Sequence, residues 1–247
     1  MNAPTTQWPL LLLLPGMDGS GVMFEPLIQA LGSEVVTQVV RYPAALTSYP
    51  GCTHFVQAQL PRDRPFVLLG ESFSGPVAIA LAAEQPRGLV GLVLCSTFVR
   101  NPHPGLAWLA PLLALLPARR LPLRLIQFLL LGRWATEPLM NRVKPMMEGV
   151  PAATMKARLL SVVAVDDTAL LGHIQVPVLA LCASHDRVVP NTAAKWISAH
   201  LPALEIVILN GPHWLLQARP AAATQALKAF LDRLPREQES DSAFRFS

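Results

Sequence analysis

The sequence contains little cysteine, and this scarcity excludes two ways of stabilising a fold. Its 247 residues include three cysteines, Cys52, Cys95 and Cys182, which are widely spaced and form no C-x-x-C pair. Disulfide frameworks and zinc sites need cysteines that are more numerous or more closely spaced. We expect three free, buried thiols, which fits a reducing compartment and predicts a cytoplasmic location.

Charged residues are also scarce, and long apolar runs are missing. Only 15% of the residues are charged and 52% are hydrophobic, which excludes a disordered chain. No basic residue precedes the short apolar run Leu10–Leu14, so a secretory signal is not expected. Arg119 and Arg120 interrupt the longest apolar stretch before it reaches the ~20 residues that span a bilayer. The length suits one large α/β domain, with room for an insertion.

The net charge of +4 comes from one segment. Residues 99–172 hold nine Lys or Arg against four Asp or Glu. These cations alternate with leucines rather than with aromatic residues, so nucleic-acid binding is not expected. The chain also has no metal-ligand cluster, P-loop or dinucleotide fingerprint, so neither a metal nor an organic cofactor is expected.

Short apolar runs alternate with amphipathic stretches, the pattern of parallel βα units. This pattern predicts a doubly wound, mainly parallel sheet of about six strands, with the site beyond the carboxyl ends of its strands. The predicted strands are Leu10–Leu14, 35–40, 66–69, Leu89–Cys95, 178–182 and 205–209, and the predicted helices are 22–31, 54–60, 73–84, 193–201 and 221–234.

The long interval after the fourth strand has no strand-like alternation. Proline-punctuated apolar stretches predict helices there at 106–116, 121–131, 138–147 and 153–165. We interpret residues 99–172 as an all-helical cap inserted into a core formed by residues 1–98 and 173–247.

A turn at residues 70–75 carries the chemistry. An apolar strand ends at Gly70-Glu71-Ser72-Phe73-Ser74-Gly75, and an alanine-rich helix follows. This is the layout of a nucleophile elbow, in which a strained strand-to-helix turn exposes a serine hydroxyl. The motif G-x-S-x-G places glycine where this chain has Ser74, so the match is imperfect. Glu71 is expected to pair with a cation or with a helix N–H group.

A serine nucleophile needs a base and an acid that orients the base. Asp186 follows the fifth predicted strand and His213 follows the sixth, and the order Ser72, Asp186, His213 is that of α/β-hydrolases. Asp166 and Asp167 compete for the acid role, although a capping or solvated role is expected for them. His185 adjoins Asp186 and is expected to be a poor base.

Attack on a carbonyl places negative charge on its oxygen, which backbone N–H groups must stabilise. One donor should be the residue after the nucleophile, Phe73. The other should come from the loop after the first strand, Pro15-Gly16-Met17-Asp18-Gly19, where Met17 N–H is the expected donor.

Together these stretches resemble the α/β-hydrolase superfamily, over residues 8–234. In detail the chain resembles small bacterial serine esterases with a Pro-Gly-Met-Asp-Gly oxyanion loop. The resemblance implies a Ser-His-Asp serine hydrolase. Only nine residues precede Leu10, so the antiparallel hairpin that opens the family's sheet is expected to be trimmed.

The leucine-rich cap predicts an ester or thioester substrate with an apolar acyl or alcohol group. Its arginines are expected to suit a carboxylate, an acyl carrier or an anionic membrane surface. Alternatives on the same triad are acyl transfer, or cleavage of an amide or a carbon–carbon bond, and a non-catalytic lipid-binding protein also remains open. The candidate substrate-pocket residues are Trp108, Leu112, Phe128 and Met146.

Overall fold

Six short apolar segments form one parallel sheet. The structure, a computed structural model, describes residues 8–105 and 123–236. The strands are β1 (Leu10–Leu14), β2 (Thr37–Val39), β3 (Phe66–Glu71), β4 (Leu89–Cys95), β5 (Val178–Ala183) and β6 (Leu204–Leu209). Their spatial order is β2-β1-β3-β4-β5-β6, and every neighbouring pair is parallel. The predicted six-stranded parallel sheet is therefore confirmed, and its described part contains no antiparallel strand.

Helices cover both faces of the sheet. They are α1 (Glu25–Leu31), α2 (Tyr49–Gln57), α3 (Gly75–Ala83), α4 (Leu123–Leu130), α5 (Glu137–Glu148), α6 (Ala152–Ala164), α7 (Thr192–His200), α8 (Leu215–Ala218) and α9 (Pro220–Leu231). Because successive side chains of a strand point to opposite faces, Leu10, Leu12 and Leu14 enter one buried cluster. Leu11 and Leu13 enter the other, on the opposite face. This two-sided burial explains why β1 is apolar without interruption.

The start of α2 differs from the prediction. The helix begins at Tyr49, five residues before the predicted position, because Ser48 caps it: the Ser48 hydroxyl accepts a hydrogen bond from Gly51 N–H at 3.3 Å. Pro50 lies in the first turn, where its missing N–H has no consequence.

The connection between β4 and β5, residues 96–177, contains helices α4, α5 and α6. The predicted helix at 106–116 lies outside the described residues, and the division into core and cap stays a prediction. Helix α6 contacts the loop after β2: Thr154 and Ser161 donate hydrogen bonds to the carbonyls of Ala44 and Thr47, both at 2.9 Å. In the described ranges, no helix is both long enough and apolar enough to cross a bilayer.

Candidate active site

Ser72 lies at a sharp turn between β3 and α3. Its φ of 50° is in the left-handed region, which a residue with a side chain rarely adopts. The flanking glycines are required by close packing. A Cβ at position 70 would lie 2.7 Å from the Ser74 carbonyl oxygen, and one at position 75 would overlap the Thr97 hydroxyl. The turn therefore has the strained, tightly packed geometry of a nucleophile elbow.

The structure brings the predicted base and acid to this serine. Ser72 Oγ lies 3.0 Å from His213 Nε2, and His213 Nδ1 lies 2.8 Å from an Asp186 carboxylate oxygen. The His213 and Asp186 side chains are 3% and 2% exposed. The three residues follow β3, β5 and β6, whose carboxyl ends share one edge of the sheet. This arrangement can move a proton from the serine hydroxyl to an imidazole held in one orientation.

Asp186 is fixed by its own backbone surroundings. Its Oδ1 accepts hydrogen bonds from Val188 N–H at 2.8 Å and Val189 N–H at 2.7 Å. These bonds orient the carboxylate towards His213 and occupy the acceptor positions of Oδ1.

The competing candidates for the acid and the base form hydrogen bonds away from Ser72. Asp166 accepts hydrogen bonds from Thr168, through its N–H at 3.2 Å and its hydroxyl at 2.6 Å. His185 Nδ1 lies 2.8 Å from the Ser184 hydroxyl, and its ring centroid lies 5.1 Å from that of Trp134. Neither side chain takes the place of Asp186 or His213.

Neither of the two predicted oxyanion donors uses its backbone N–H in the turn or helix to which it belongs. Gly19 N–H donates to the Gly16 carbonyl at 3.0 Å, closing a turn with Met17 at its first central position. That turn does not use Met17 N–H. Phe73 lies in the first turn of the short 3₁₀-helix Ser72–Ser74, whose leading N–H groups have no partner within the helix. The oxyanion roles of Met17 and Phe73 stay predictions.

Ser74, the departure from the motif, links the elbow to the oxyanion loop (residues 15–19). It is fully buried, and its hydroxyl donates to the Pro15 carbonyl. The Tyr42 hydroxyl lies 2.8 Å from Ser74 Oγ and can donate the second hydrogen bond. A glycine here could make neither bond, so the serine adds a polar bridge that sequence reasoning missed.

Comparison with known proteins identifies the family of the chain. Residues 38–216 match a family of hydrolases described as serine aminopeptidase, S33. The chain belongs to this family. The predicted resemblance to a superfamily of hydrolases is thereby confirmed.

Individual relatives share only part of the chain or only a small part of its sequence. Phytyl ester synthase 1, chloroplastic, from Arabidopsis thaliana is 32% identical over 124 residues, which are 46% of this chain and 17% of that protein. The chain thus matches about a sixth of the length of that relative. An esterase from Exiguobacterium antarcticum has a TM-score of 0.77 at 15% identity, covering 92% of this chain and 93% of its own. A hydrolase from Pseudomonas aeruginosa has a TM-score of 0.76 at 21% identity, covering 91% and 90%. The solved structures share the fold.

Glu71 of the hydrolase has a neutral partner rather than the expected cation or helix N–H group. The residue is buried, and its Oε1 accepts a hydrogen bond of 2.8 Å from the Gln217 side-chain amide. Burial raises the pKa of Glu71 to about 7, although Gln217 and His213 oppose this shift. Gln217 Oε1 is buried without a hydrogen-bond partner in the described structure. Only the protonated form of Glu71 carries a donor that such an acceptor could use, which favours the neutral acid.

The candidate substrate-pocket residues are only partly described. Trp108 and Leu112 lie outside the described residues. Phe128 is 54% exposed, with the Arg187 guanidinium 4.3 Å from its ring centre. Met146 is buried in a cluster beside Trp214, the residue after His213. It also lines a cavity of about 370 Å³ that includes Ser20, just after the oxyanion loop.

The three cysteines are free and buried, as the sequence predicts. Burial raises the pKa of Cys52 and of Cys182 to about 11, so both thiols stay protonated at neutral pH. In ranges 8–105 and 123–236, no group of three or more His, Cys, Asp or Glu could hold a metal ion.

Proposed function

We propose that the protein hydrolyses a carboxylic ester or thioester with an apolar acyl or alcohol group. The observation that carries this proposal is the hydrogen-bonded series Ser72–His213–Asp186, which begins at a serine with a φ of 50°. A serine hydroxyl is a weak nucleophile by itself, and this series supplies the base that activates it.

The proposed reaction has two halves. Ser72 Oγ attacks the acyl carbonyl while His213 Nε2 takes the hydroxyl proton, and Asp186 stabilises the imidazolium that forms. Met17 N–H and Phe73 N–H stabilise the tetrahedral oxyanion. His213 then protonates the leaving alcohol or thiol. A water molecule attacks the acyl-enzyme in the second half, gives its proton to His213, and releases the acid as Ser72 recovers its proton.

An apolar substrate is supported by the surroundings of the triad. Met23, Ile126, Val143 and Met146 form a buried cluster in contact with Trp214, beside His213. Methionine side chains adapt to irregular apolar shapes, so this cluster suits a flexible hydrocarbon chain. We also propose that residues 99–172 form a cap over the site and that their excess positive charge attracts an acyl carrier or an anionic membrane surface. A cytoplasmic location remains a prediction, supported by the free thiols.

The test is hydrolysis of p-nitrophenyl esters and acyl thioesters of graded chain length by the wild type and by Ser72→Ala. We expect activity to rise with acyl length and to fall to background in the variant. Ser161→Ala is the matched control, because Ser161 lies on α6, outside the proposed triad, and its hydroxyl bonds the Thr47 carbonyl. Full activity in Ser72→Ala would exclude the mechanism.

A second candidate is acyl transfer to an alcohol, favoured by the 32% identity to a phytyl ester synthase. The same acyl-enzyme would be attacked by an alcohol instead of water. Hydrolysis and transfer are separated by product analysis with a long-chain alcohol as competing acceptor. Formation of the new ester in preference to the free acid would favour the synthase. Aminoacyl p-nitroanilides in the same screen test amide cleavage, which the family description suggests.

A further inference from the structure

An arginine from the β4–β5 connection lies beneath the oxyanion loop. Arg158, on α6, is fully buried, and its guanidinium bonds three backbone carbonyls. Nη1 donates to the Met17 carbonyl at 2.9 Å, Nε to the Leu46 carbonyl at 3.0 Å, and Nη2 to the Pro43 carbonyl at 3.2 Å. We propose that Arg158 is a positioning residue, which fixes the oxyanion loop in the conformation that stabilises the transition state. This inference rests on the proposed function.

The contact with Met17 acts on the peptide that adjoins the proposed donor N–H. The Met17 carbonyl belongs to the Met17–Asp18 peptide plane, so the hydrogen bond from Arg158 sets the orientation of that plane. The turn bond from Gly19 N–H to the Gly16 carbonyl fixes the other side of the same loop. Met17 N–H shares its peptide plane with the Gly16 carbonyl, which the turn bond holds, and Arg158 holds the adjoining plane, so the two bonds together fix the backbone on both sides of Met17.

Arg158 also lies near the aromatic ring of Phe73, the residue that holds the second proposed donor. Its Cζ lies 5.9 Å from the ring centre of Phe73 and 5.7 Å from that of Tyr42. Tyr42 in turn bonds Ser74 in the elbow. The guanidinium is therefore bonded to the loop through Met17 and lies beside the elbow through the ring of Phe73.

The loop is shaped to admit this side chain. Gly19 has a φ of +73°, and a Cβ there would lie 2.5 Å from Arg158 Nη1. Glycine is needed at this position for backbone conformation and for close approach of the guanidinium. The Pro-Gly-Met-Asp-Gly loop and Arg158 thus form one packed unit, although Gly19 and Arg158 are 139 positions apart in the sequence.

Packing alone does not explain a charged group here. A fully buried guanidinium loses its hydration, and an apolar side chain of similar size could fill the space without that loss. Burial lowers the pKa of Arg158, and Cys52 and Asp18 oppose that shift. Arg158 remains charged at neutral pH because its ordinary pKa is far higher. Rigid, directional donors are what the guanidinium contributes that a hydrocarbon cannot.

The test compares Arg158→Met, Arg158→Lys and the control Thr154→Val. Thr154 lies on the same helix and bonds the Ala44 carbonyl, so its loss weakens the helix–loop contact without touching Met17. The readouts are the second-order rate of Ser72 labelling by a fluorophosphonate, and kcat and KM for a p-nitrophenyl ester. Circular dichroism and Tm establish that each variant is folded.

We expect Arg158→Met to slow labelling and lower kcat by about 10- to 100-fold, with KM changed less than about twofold, because an oxyanion donor acts mainly in the transition state. Arg158→Lys should lose less, and Thr154→Val should stay within about twofold of wild type. If Arg158→Met fails to fold, a folded Arg158→Lys tests the positioning role by the same readouts.

Each outcome bears on the inference separately from the proposed function. Labelling and kcat that are unchanged in folded Arg158 variants of an active wild type would overturn the positioning role alone. An equal loss in Thr154→Val would also overturn it, since helix packing would then explain the effect. A wild type that is labelled at Ser72 but does not hydrolyse esters would refute the substrate proposal and leave the labelling rates to decide on Arg158. Absence of labelling in the wild type would refute both.

Discussion

Replacing Glu71 with glutamine should stabilise the protein at alkaline pH and change little at acidic pH. Burial raises the pKa of Glu71 from its ordinary 4.5 to about 7, so the folded protein holds this proton more tightly than the unfolded chain does. The stability that this proton contributes is therefore fully present below about pH 4.5. It falls as the pH rises towards 7, and it stays lost above that. The neutral glutamine removes this loss.

The magnitude follows from the difference between the two pKa values. At about 1.4 kcal/mol for each unit of pKa difference, the gain in the free energy of unfolding at pH 8 is limited to about 3 kcal/mol. For a domain of this size that corresponds to a rise in Tm on the order of 6–12 °C. The new amide can also donate to Gln217 Oε1, which is buried without a hydrogen-bond partner in the described structure, so the Glu71–Gln217 contact is retained.

The assay is thermal unfolding of both proteins at pH 5, 6, 7 and 8, which should show a difference in Tm that grows with pH. Glu84→Gln is the matched control, because Glu84 also accepts a hydrogen bond from a glutamine amide, that of Gln57, but at an exposed position. A Tm difference for Glu71→Gln that is constant across this range, or no larger than that of the control, would refute the claim that burial raises the pKa of Glu71.

Three further substitutions probe the elbow and the triad. Asp186→Asn should lower kcat by on the order of 10⁴-fold while the protein stays folded, because the imidazole loses the acceptor that sets its tautomer; steady-state kinetics and circular dichroism check this. Gly75→Ala should destabilise by about 1–3 kcal/mol, since its Cβ overlaps Thr97, as measured by denaturant unfolding. Ser74→Ala should cost about 1–3 kcal/mol in the same assay, because the buried Pro15 carbonyl loses its donor. A Ser74 variant as stable as wild type would contradict the polar bridge.

The sheet could be predicted from the sequence because each strand carries a local signal. A strand buried on both faces is apolar throughout and is bounded by loop residues, so β1 and β4 were predicted with their observed bounds. The positions of Ser72, Asp186 and His213 followed from the same reasoning, since the carboxyl ends of parallel strands converge at one edge.

The residues that hold the catalytic groups and the oxyanion loop in place carry no such local signal. Arg158 is one of several cations on leucine-rich helices, and nothing in its spacing distinguishes a buried arginine from a solvated one. Gln217 and Tyr42 reach Glu71 and Ser74 from segments 146 and 32 residues away. Contacts of this kind depend on the angles at which helices and loops pack on the sheet, which residue order alone does not specify.

The most direct test of the account is the site of covalent labelling by a fluorophosphonate. We predict a single label per folded chain, recovered by mass spectrometry on the peptide that contains Ser72, and no label in Ser72→Ala or in heat-unfolded protein. Labelling needs an activated serine, so this result depends on His213 and on the elbow but not on the identity of the natural substrate. A folded wild type that remains unlabelled, or that is labelled at another residue, would contradict the assignment of Ser72 as the nucleophile.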